Sequence, residues 1–162
     1  MLLIALSACA PGSDFELYEG RNLHIAVIGE PPEVEEERVS FEKISFDELA
    51  IENLSSFDAV IIRENNLQEA AESQYADVYL DPAVPFFFMG TILHLPFTQK
   101  DMDYHNSYNW RPGSNYTVGV YRAKADQSVH YWGTSFYNDE KTDAHMQDLY
   151  SRIFIKIEGE TS

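Results

Sequence analysis

Residues 101–105 bring three side chains of metal-binding type into one short stretch of the chain. Asp101, Asp103 and His105 form an Asp-x-Asp-x-His run. Carboxylate oxygen and imidazole nitrogen are ligands that zinc, manganese and similar divalent cations accept. These three residues are the candidate metal ligands. The alternative is an ordinary solvated loop, because three ligands within five residues need a particular turn to converge on one ion.

The residues that follow have the composition of a recognition surface. Tyr108, Trp110 and Arg111 lie in a polar and aromatic stretch that runs to Gly113. Tyrosine and tryptophan combine rigid contact area with a polar tip, and both are enriched at recognition sites. We expect these three residues to bind a ligand. The alternative is that aromatic residues in this half of the chain pack against the core, since β-strands favour aromatic side chains.

Cys9 is the only cysteine of the chain and ends a run of apolar and small residues. The tetrapeptide Leu6-Ser7-Ala8-Cys9 resembles the lipobox of bacterial lipoproteins, in which an apolar residue and two small residues precede the cysteine that receives a diacylglyceryl thioether. The chain as a whole resembles the small lipoproteins of bacteria. The resemblance implies that Cys9 is the lipidated first residue of the mature protein and that residues 1–8 belong to a signal peptide. It also implies a location at the cell membrane, held by the lipid and facing outside the cytoplasm.

The apolar run over residues 1–6 is shorter than a membrane-spanning helix, which needs about 20 apolar residues. No lysine or arginine precedes it, whereas a signal peptide begins with a positively charged region, so we expect the signal peptide to be partial. Pro, Gly and Ser residues directly after Cys9 do not continue a packed element. We therefore predict a lipidated tether over residues 9–20. Residues 21–162 are long and apolar enough for a single domain with one core.

The charge of the chain excludes one class of partner. Its 27 acidic and 11 basic residues give a formal net charge of −16, and a field of that sign repels phosphate backbones. Nucleic acid is therefore not expected to bind. The partners that we expect are the membrane, through the lipid, and either an envelope protein or a small ligand. Because Cys9 has no second cysteine to pair with, no disulfide framework is expected.

Hydrophobic patterns along the chain indicate alternating strands and helices. Three mostly apolar runs are typical of strands buried in a parallel sheet. Residues 39–44 alternate imperfectly between apolar and polar side chains and indicate a further strand, and two later runs are typical of an antiparallel hairpin. The predicted strands cover residues 23–29, 39–44, 57–62, 84–90, 116–122 and 129–134. The predicted helices cover residues 45–54, a segment from Asn65 or Asn66 through Ala71 or, alternatively, through Tyr75, and residues 139–157.

Three local patterns refine these elements. Ser45 and Glu48 have the spacing of a capping box, in which each residue bonds the backbone N–H of the other. Asn65 or Asn66 is expected to cap the next helix. Five glutamates between residues 30 and 37 predict a solvated loop.

The order of these elements favours an open α/β layer with right-handed crossovers. We predict a Rossmann-like or flavodoxin-like layered sheet with a C-terminal β-hairpin and a final α-helix. Residues 91–113 form a long loop in this scheme, of the kind that is often functional.

The first strands are similar to the sheets of amidotransferase and receiver domains, through the apolar runs at residues 25–28, 58–62 and 85–88. An amidotransferase uses a nucleophilic cysteine at a strand-to-helix elbow, and this core has no cysteine. A receiver has an aspartate at the end of its central strand, where this chain has Arg63 and Glu64. The chain therefore lacks the catalytic residues of both families.

These observations favour a non-enzymatic binding or envelope accessory module without a cofactor. The loop Gly29-Glu30-Pro31-Pro32 after the first strand lacks the glycine amides that hold a dinucleotide phosphate. A structural subunit of a larger envelope complex is a further alternative. The enzymatic alternative is a hydrolase or amidotransferase-like enzyme, with a divalent metal as its cofactor, that acts through the 91–113 loop.

Overall fold

The computed structural model of this chain describes residues 15–51 and 53–161. They form a six-stranded mixed sheet in the order β2-β1-β3-β4-β5-β6. The strands are β1 (Leu23–Ile28), β2 (Val39–Lys43), β3 (Ala59–Ile62), β4 (Phe86–Met89), β5 (Thr117–Arg122) and β6 (Val129–Thr134). The helices are α1 (Phe46–Ile51), α2 (Leu67–Ala70), α3 (Ala76–Leu80), α4 (Leu95–Thr98) and α5 (Asp143–Thr161).

The first four strands run parallel, and the last two are antiparallel to their neighbours. Every residue of β3 and β4 is buried, because helices cover both faces of the parallel part and leave no place for polar side chains. The first five strands follow the order of flavodoxin-like folds. The predicted α/β layered sheet with a C-terminal hairpin and a final helix is confirmed.

The two faces of the sheet are covered by different parts of the chain. One face packs against α1 to α4, and its core includes Val60, Phe86 and Phe88. The other face packs against α5, whose Leu149 and Phe154 are fully buried there. The C-terminal helix therefore supplies one whole layer of the molecule.

The capping box is confirmed, but the asparagine cap is wrong. The Ser45 N–H donates to Glu48 Oε2 at 2.5 Å, and the Glu48 N–H donates to Ser45 Oγ at 3.3 Å. Asn66 forms no cap with its side chain. Its Nδ2 instead donates to the carbonyl oxygen of Ile28 at 3.4 Å, so it ties the start of α2 to the end of β1.

The final helix begins four residues later than the pattern predicts, at Asp143. Asn138 and Asp139 have φ angles of 52° and 56°, and a right-handed helix excludes such angles. The spacing of apolar residues does not predict this turn, because a left-handed backbone conformation does not change that spacing.

The glutamate-rich connection between β1 and β2 is only partly solvated, contrary to the prediction. Glu36 is 5% exposed. Its Oε2 accepts a hydrogen bond from Gln147 Nε2 at 2.6 Å, and its Oε1 accepts one from Ser151 Oγ. Two polar side chains of α5 thus compensate for the burial of this carboxylate.

The predicted tether overlaps the packed domain at its C-terminal end. Tyr18 is buried and packs its ring on Phe154, and its hydroxyl donates to the carbonyl oxygen of Arg21 at 3.0 Å. The predicted signal peptide, residues 1–8, and the first part of the predicted tether, including Cys9, lie outside the described residues. In the part of the chain that the structure describes, no helix combines the length and the apolar character needed to cross a membrane.

Candidate functional site

Strands β1, β3 and β4 end at one edge of the sheet, which we call the carboxyl edge. The connection from β1 to β2 passes over the α5 face, because Glu36 bonds to α5. The connections through α1 and through α2 and α3 pass over the opposite face. The crossovers therefore change sides between β1 and β3, and open α/β sheets bind ligands beyond the strand ends at such a point. The topology of the sheet therefore favours the carboxyl edge as the place of a ligand site.

Two glycines allow the chain segments to crowd together at the carboxyl edge. Gly29 follows β1 with a φ of 107°, and Gly90 follows β4 with a φ of 82°. A Cβ atom on Gly90 would lie 2.7 Å from the Cβ of Glu64, and one on Gly29 would lie 2.6 Å from Nδ2 of Asn66. Only glycine satisfies both the backbone angle and the space at these two positions.

Glu64, directly after β3, is the centre of a polar cluster at this edge. The Tyr116 hydroxyl donates to Glu64 Oε2 at 3.0 Å, and Lys141 Nζ lies 3.4 Å from the same oxygen. The Lys141 ammonium also lies 5.0 Å from the centre of the Tyr116 ring. Burial raises the pKa of Tyr116 well above its ordinary value, and the charge of Glu64 raises it further. Tyr116 therefore stays protonated and acts as a hydrogen-bond donor.

Arg63 directly precedes Glu64 in the chain, and its charge lies near Tyr116. Its Nη1 donates to the carbonyl oxygen of Glu30 at 3.0 Å, and its backbone N–H donates to that of Ile28. Burial raises the pKa of Tyr150 to about 12, and the nearby charge of Arg63 opposes this rise. We call Arg63, Glu64, Tyr116 and Lys141 the carboxyl-edge cluster.

The sequence interpretation missed most of this cluster. It noted Arg63 and Glu64 only as residues that replace a catalytic aspartate, and it did not consider Lys141 at all. The available signal was the position of Arg63 and Glu64 directly after a buried parallel strand, where fold geometry concentrates functional groups.

The 91–113 loop is attached to the end of β4 by its backbone. The Trp110 N–H donates to the Gly90 carbonyl oxygen at 2.8 Å, and the Ile92 N–H donates to that of Tyr108 at 2.9 Å. The Thr91 hydroxyl, which is fully buried, lies 3.2 Å from the carbonyl oxygen of Tyr108. These bonds hold both ends of the loop against the sheet.

The three predicted ligand-binding residues have different surroundings. The Trp110 ring packs edge-on against Phe136, with centroids 5.3 Å apart, and against Tyr116. Its indole N–H is buried and has no hydrogen-bond partner among the described residues. Tyr108 is half-buried, and Arg111 is exposed with Nη1 donating to the Ser107 carbonyl oxygen. Trp110 therefore supports the loop, while the other two side chains reach the surface.

The predicted metal ligands do not form a metal centre in the described structure. Asp101, Asp103 and His105 are all exposed. Among residues 15–51 and 53–161, no group of three or more acidic, histidine or cysteine side chains is arranged to hold a metal ion. The His105 ring instead lies 5.6 Å from the ring of Tyr108.

A Ser–His–Asp cluster in the β5–β6 turn does not have the geometry of a catalytic triad. His130 Nε2 lies 2.8 Å from Ser128 Oγ and 3.3 Å from Asp126 Oδ2. A triad requires the serine and the carboxylate to bond different ring nitrogens. Hydrogen bonds from the Ser128 hydroxyl and backbone N–H lower the pKa of Asp126 to about 2. The cluster is an Asx turn that closes the hairpin.

Comparison with known proteins assigns no family. No protein-family model, no curated protein and no solved structure shows significant similarity to this chain.

Proposed function

We propose that this chain is a bacterial lipoprotein, anchored to the cell membrane through Cys9 and facing outside the cytoplasm. Its α/β domain is a non-enzymatic binding or envelope accessory module. The lipobox-like residues Leu6-Ser7-Ala8-Cys9 support the anchor. A diacylglyceryl group supplies two acyl chains, and each buried methylene contributes about 0.8 kcal/mol, so two chains hold a protein at a membrane far better than one.

The attachment of the 91–113 loop to β4 is the observation that carries the binding function. A loop whose backbone already bonds Gly90 and whose Trp110 ring is packed loses little conformational entropy when a ligand arrives. Tyr108 and Arg111 are then the contact residues, and Trp110 positions them. The loop lies at the carboxyl edge, where this class of fold holds its ligands.

The hydrogen bonding and protonation of the polar groups at the carboxyl edge favour a binding function over the alternative of a hydrolase or amidotransferase-like enzyme. The Thr91 hydroxyl, next to the end of β4, is buried and bonded to carbonyl oxygens, which does not suit a nucleophile. The raised pKa of Tyr116 does not suit a general base near neutral pH. Glu64 is already bonded to Tyr116 and Lys141.

Mass spectrometry of the protein purified from bacterial membranes tests the anchor. The expected result is a mature chain that begins at Cys9 and carries a diacylglyceryl adduct, with a Cys9→Ser variant that is unmodified and released from the membrane fraction. A wild-type chain without lipid on Cys9 would remove the anchor from the proposal.

A thermal-shift screen with nucleotides, sugars, short peptides and divalent cations tests the binding function. A ligand at a hundredfold excess over its Kd stabilises the folded state by about 2.7 kcal/mol. Tyr108→Ala and Arg111→Ala are expected to abolish that shift, whereas Tyr137→Ala, which removes an exposed tyrosine outside the loop, is expected to retain it. A shift produced by a metal and lost in Asp103→Ala or His105→Ala would favour the metal-dependent enzyme instead.

A further inference from the structure

A groove of about 890 Å³ lies on the side of the molecule covered by α5. Its lining is part polar and part apolar, and we call the apolar side chains, which come from three segments of the chain, its floor. Phe15 and Leu17 precede β1, Val34 belongs to the connection between β1 and β2, and Met146 is in the second turn of α5. Leu17 is 37% exposed, so part of this apolar surface remains in contact with water. We call this feature the acidic groove because of its rim.

The groove is also lined by three carboxylates, Glu33, Glu35 and Asp143, which we call its rim. Among the described residues that line the groove there is no lysine or arginine. Within residues 15–51 and 53–161, nine acidic side chains form ion pairs, and none of these three is among them. The negative charge of the rim is therefore not neutralised inside the described domain.

A second hollow of about 470 Å³ extends the groove along the same side. It shares Leu17 and Glu35 with the acidic groove, adds Glu19 and Glu37, and includes one cation, Arg38. The Arg38 guanidinium donates to the backbone carbonyl oxygens of Glu19 and Gly20 and forms no ion pair with a carboxylate of the described residues. Carboxylates therefore outnumber cations along this side of the molecule.

We propose that the acidic groove binds a basic amphipathic segment of a partner protein, with apolar side chains on the floor and lysine or arginine side chains on the rim. Burial of the partner's apolar face supplies affinity, and complementary charge supplies orientation and a fast association rate. Met146 suits this role because its flexible, polarisable side chain adapts to different apolar partners.

Charge distinguishes this occupant from the other candidates. A second copy of the chain carries a net charge of −16 and would be repelled. Residues 1–14 contain no lysine or arginine, so they offer no side-chain cation to the rim. The partner site lies apart from the 91–113 loop and does not depend on lipidation of Cys9.

Fluorescence anisotropy with the full-length chain tests this proposal. The probe is a labelled peptide of about 18 leucine and lysine residues, patterned to form a helix with one apolar face. One control peptide has the same composition in a scrambled order, and another has glutamate in place of lysine. We expect the patterned basic peptide to bind most tightly, with an affinity that falls as NaCl rises from about 0.05 M to about 0.5 M.

Matched charge variants then locate the site. The triple substitution Glu33→Gln, Glu35→Gln and Asp143→Asn keeps the shape of the rim and removes its charge. The control triple Asp47→Asn, Glu69→Gln and Glu72→Gln removes the same charge from exposed positions on the opposite side of the sheet. The groove triple is expected to weaken binding about tenfold or more and the control triple less than about threefold, because the rim charges lie next to the bound cations.

Four results would overturn the proposal. The first two are that the patterned basic peptide does not bind, or that the groove triple and the control triple weaken its binding equally. The third is that the scrambled peptide binds as tightly as the patterned one. The fourth is that sedimentation shows a dimer of the wild-type chain that only the groove triple abolishes. Urea denaturation of each triple checks that the fold is intact. A Met146→Ser variant gives a second test that leaves the charge of the groove unchanged. It is expected to lower the affinity for the patterned peptide more than the affinity for the scrambled peptide.

Discussion

A glycine can be required because its backbone is left-handed or because a side chain would not fit. Gly90 and Gly113 allow these two requirements to be compared. Gly90 and Gly113 share a φ of 82°. A side chain on Gly90 would collide with Glu64, whereas a Cβ on Gly113 would meet no atom of the described residues within 4 Å. The pair therefore distinguishes the requirement for a left-handed backbone from the requirement for space.

Gly90→Ala is expected to lower the free energy of unfolding by about 2 to 4 kcal/mol, because it adds both backbone strain and a steric clash. Gly113→Ala is the control, and its strain alone is expected to cost about 1 kcal/mol. Urea denaturation of both variants gives the comparison. Equal losses would show that the contact with Glu64 has no energetic weight.

Two buried tyrosines are expected to respond in opposite directions to loss of the hydroxyl. The Tyr79 hydroxyl is buried without a hydrogen-bond partner among the described residues, so Tyr79→Phe is expected to stabilise the fold by up to about 1 kcal/mol. Tyr116→Phe removes the bond to Glu64 and is expected to cost about 1 kcal/mol. Thermal unfolding measures both, and a loss in Tyr79→Phe would indicate a hydrogen bond absent from the described contacts.

Tyr150 makes stability depend on alkaline pH. Its pKa is about 12 in the folded protein and about 10 in an unfolded chain, so the folded state holds this proton more tightly. Its contribution is complete below about pH 10 and is lost as pH rises toward 12. Two pKa units correspond to about 2 to 3 kcal/mol.

Denaturation between about pH 9 and pH 12 tests this dependence, with Tyr150→Phe as the comparison. The variant is expected to lose less stability over this range than the wild type. A residual loss is expected in the variant, because the pKa of Tyr18 is also raised to about 12. Parallel curves for the two proteins would contradict the assignment to Tyr150.

Among the elements, α5 replaces a crossover helix on its face of the sheet. The connection from β1 to β2 contains no helix, so the C-terminal helix covers β1 and β3 on that side. Glu36 joins the β1–β2 connection to α5, because its buried carboxylate accepts hydrogen bonds from Gln147 and Ser151 of that helix. The layer is therefore held by packing along the helix and by polar contacts, two of which are made by the buried Glu36 carboxylate.

Glu36→Ala is expected to lower the free energy of unfolding by about 2 to 3 kcal/mol, since it leaves the buried Ser151 hydroxyl and the half-buried Gln147 amide of α5 without this acceptor. Glu37→Ala is the control, because that neighbouring glutamate is exposed and is expected to change stability by less than about 0.5 kcal/mol. Equal effects in urea denaturation would mean that Glu36 does not hold the connection to the helix.

Over the whole molecule, the net charge of −16 works against the compact state. Repulsion among like charges destabilises a folded protein, and salt screens it. The nine ion pairs of the described residues are mostly exposed, and exposed pairs contribute little. Net repulsion is therefore expected to outweigh attraction.

Raising NaCl from about 0.02 M to about 0.3 M is expected to stabilise the fold by about 1 kcal/mol, which corresponds to a rise in Tm of about 2 to 4 °C. The control triple Asp47→Asn, Glu69→Gln and Glu72→Gln carries three fewer negative charges and is expected to gain less. Scanning calorimetry measures both, and a Tm that falls with salt would mean that the ion pairs dominate.

The sequence by itself determined the six strands and the class of the fold, whereas the short helices α3 and α4 were not predicted and α4 lies inside the predicted 91–113 loop. Hydrophobic periodicity and turn residues are local properties, so they were sufficient for the strands, the hairpin, the capping box at Ser45 and the α/β architecture. The lipobox-like tetrapeptide that ends at Cys9 is likewise a local pattern, and the prediction of a lipid anchor depends on it alone.

Only the tertiary structure decided which side chains meet. Tyr116 and Lys141 reach Glu64 from 52 and 77 residues away, and the burial of Glu36 depends on a helix more than 100 residues later in the chain. Such contacts follow from the order of strands in the sheet and from the path of the last helix, which no local pattern encodes. For the same physical reason, the packing of the Trp110 ring on Phe136 joins two parts of the chain that no local pattern relates.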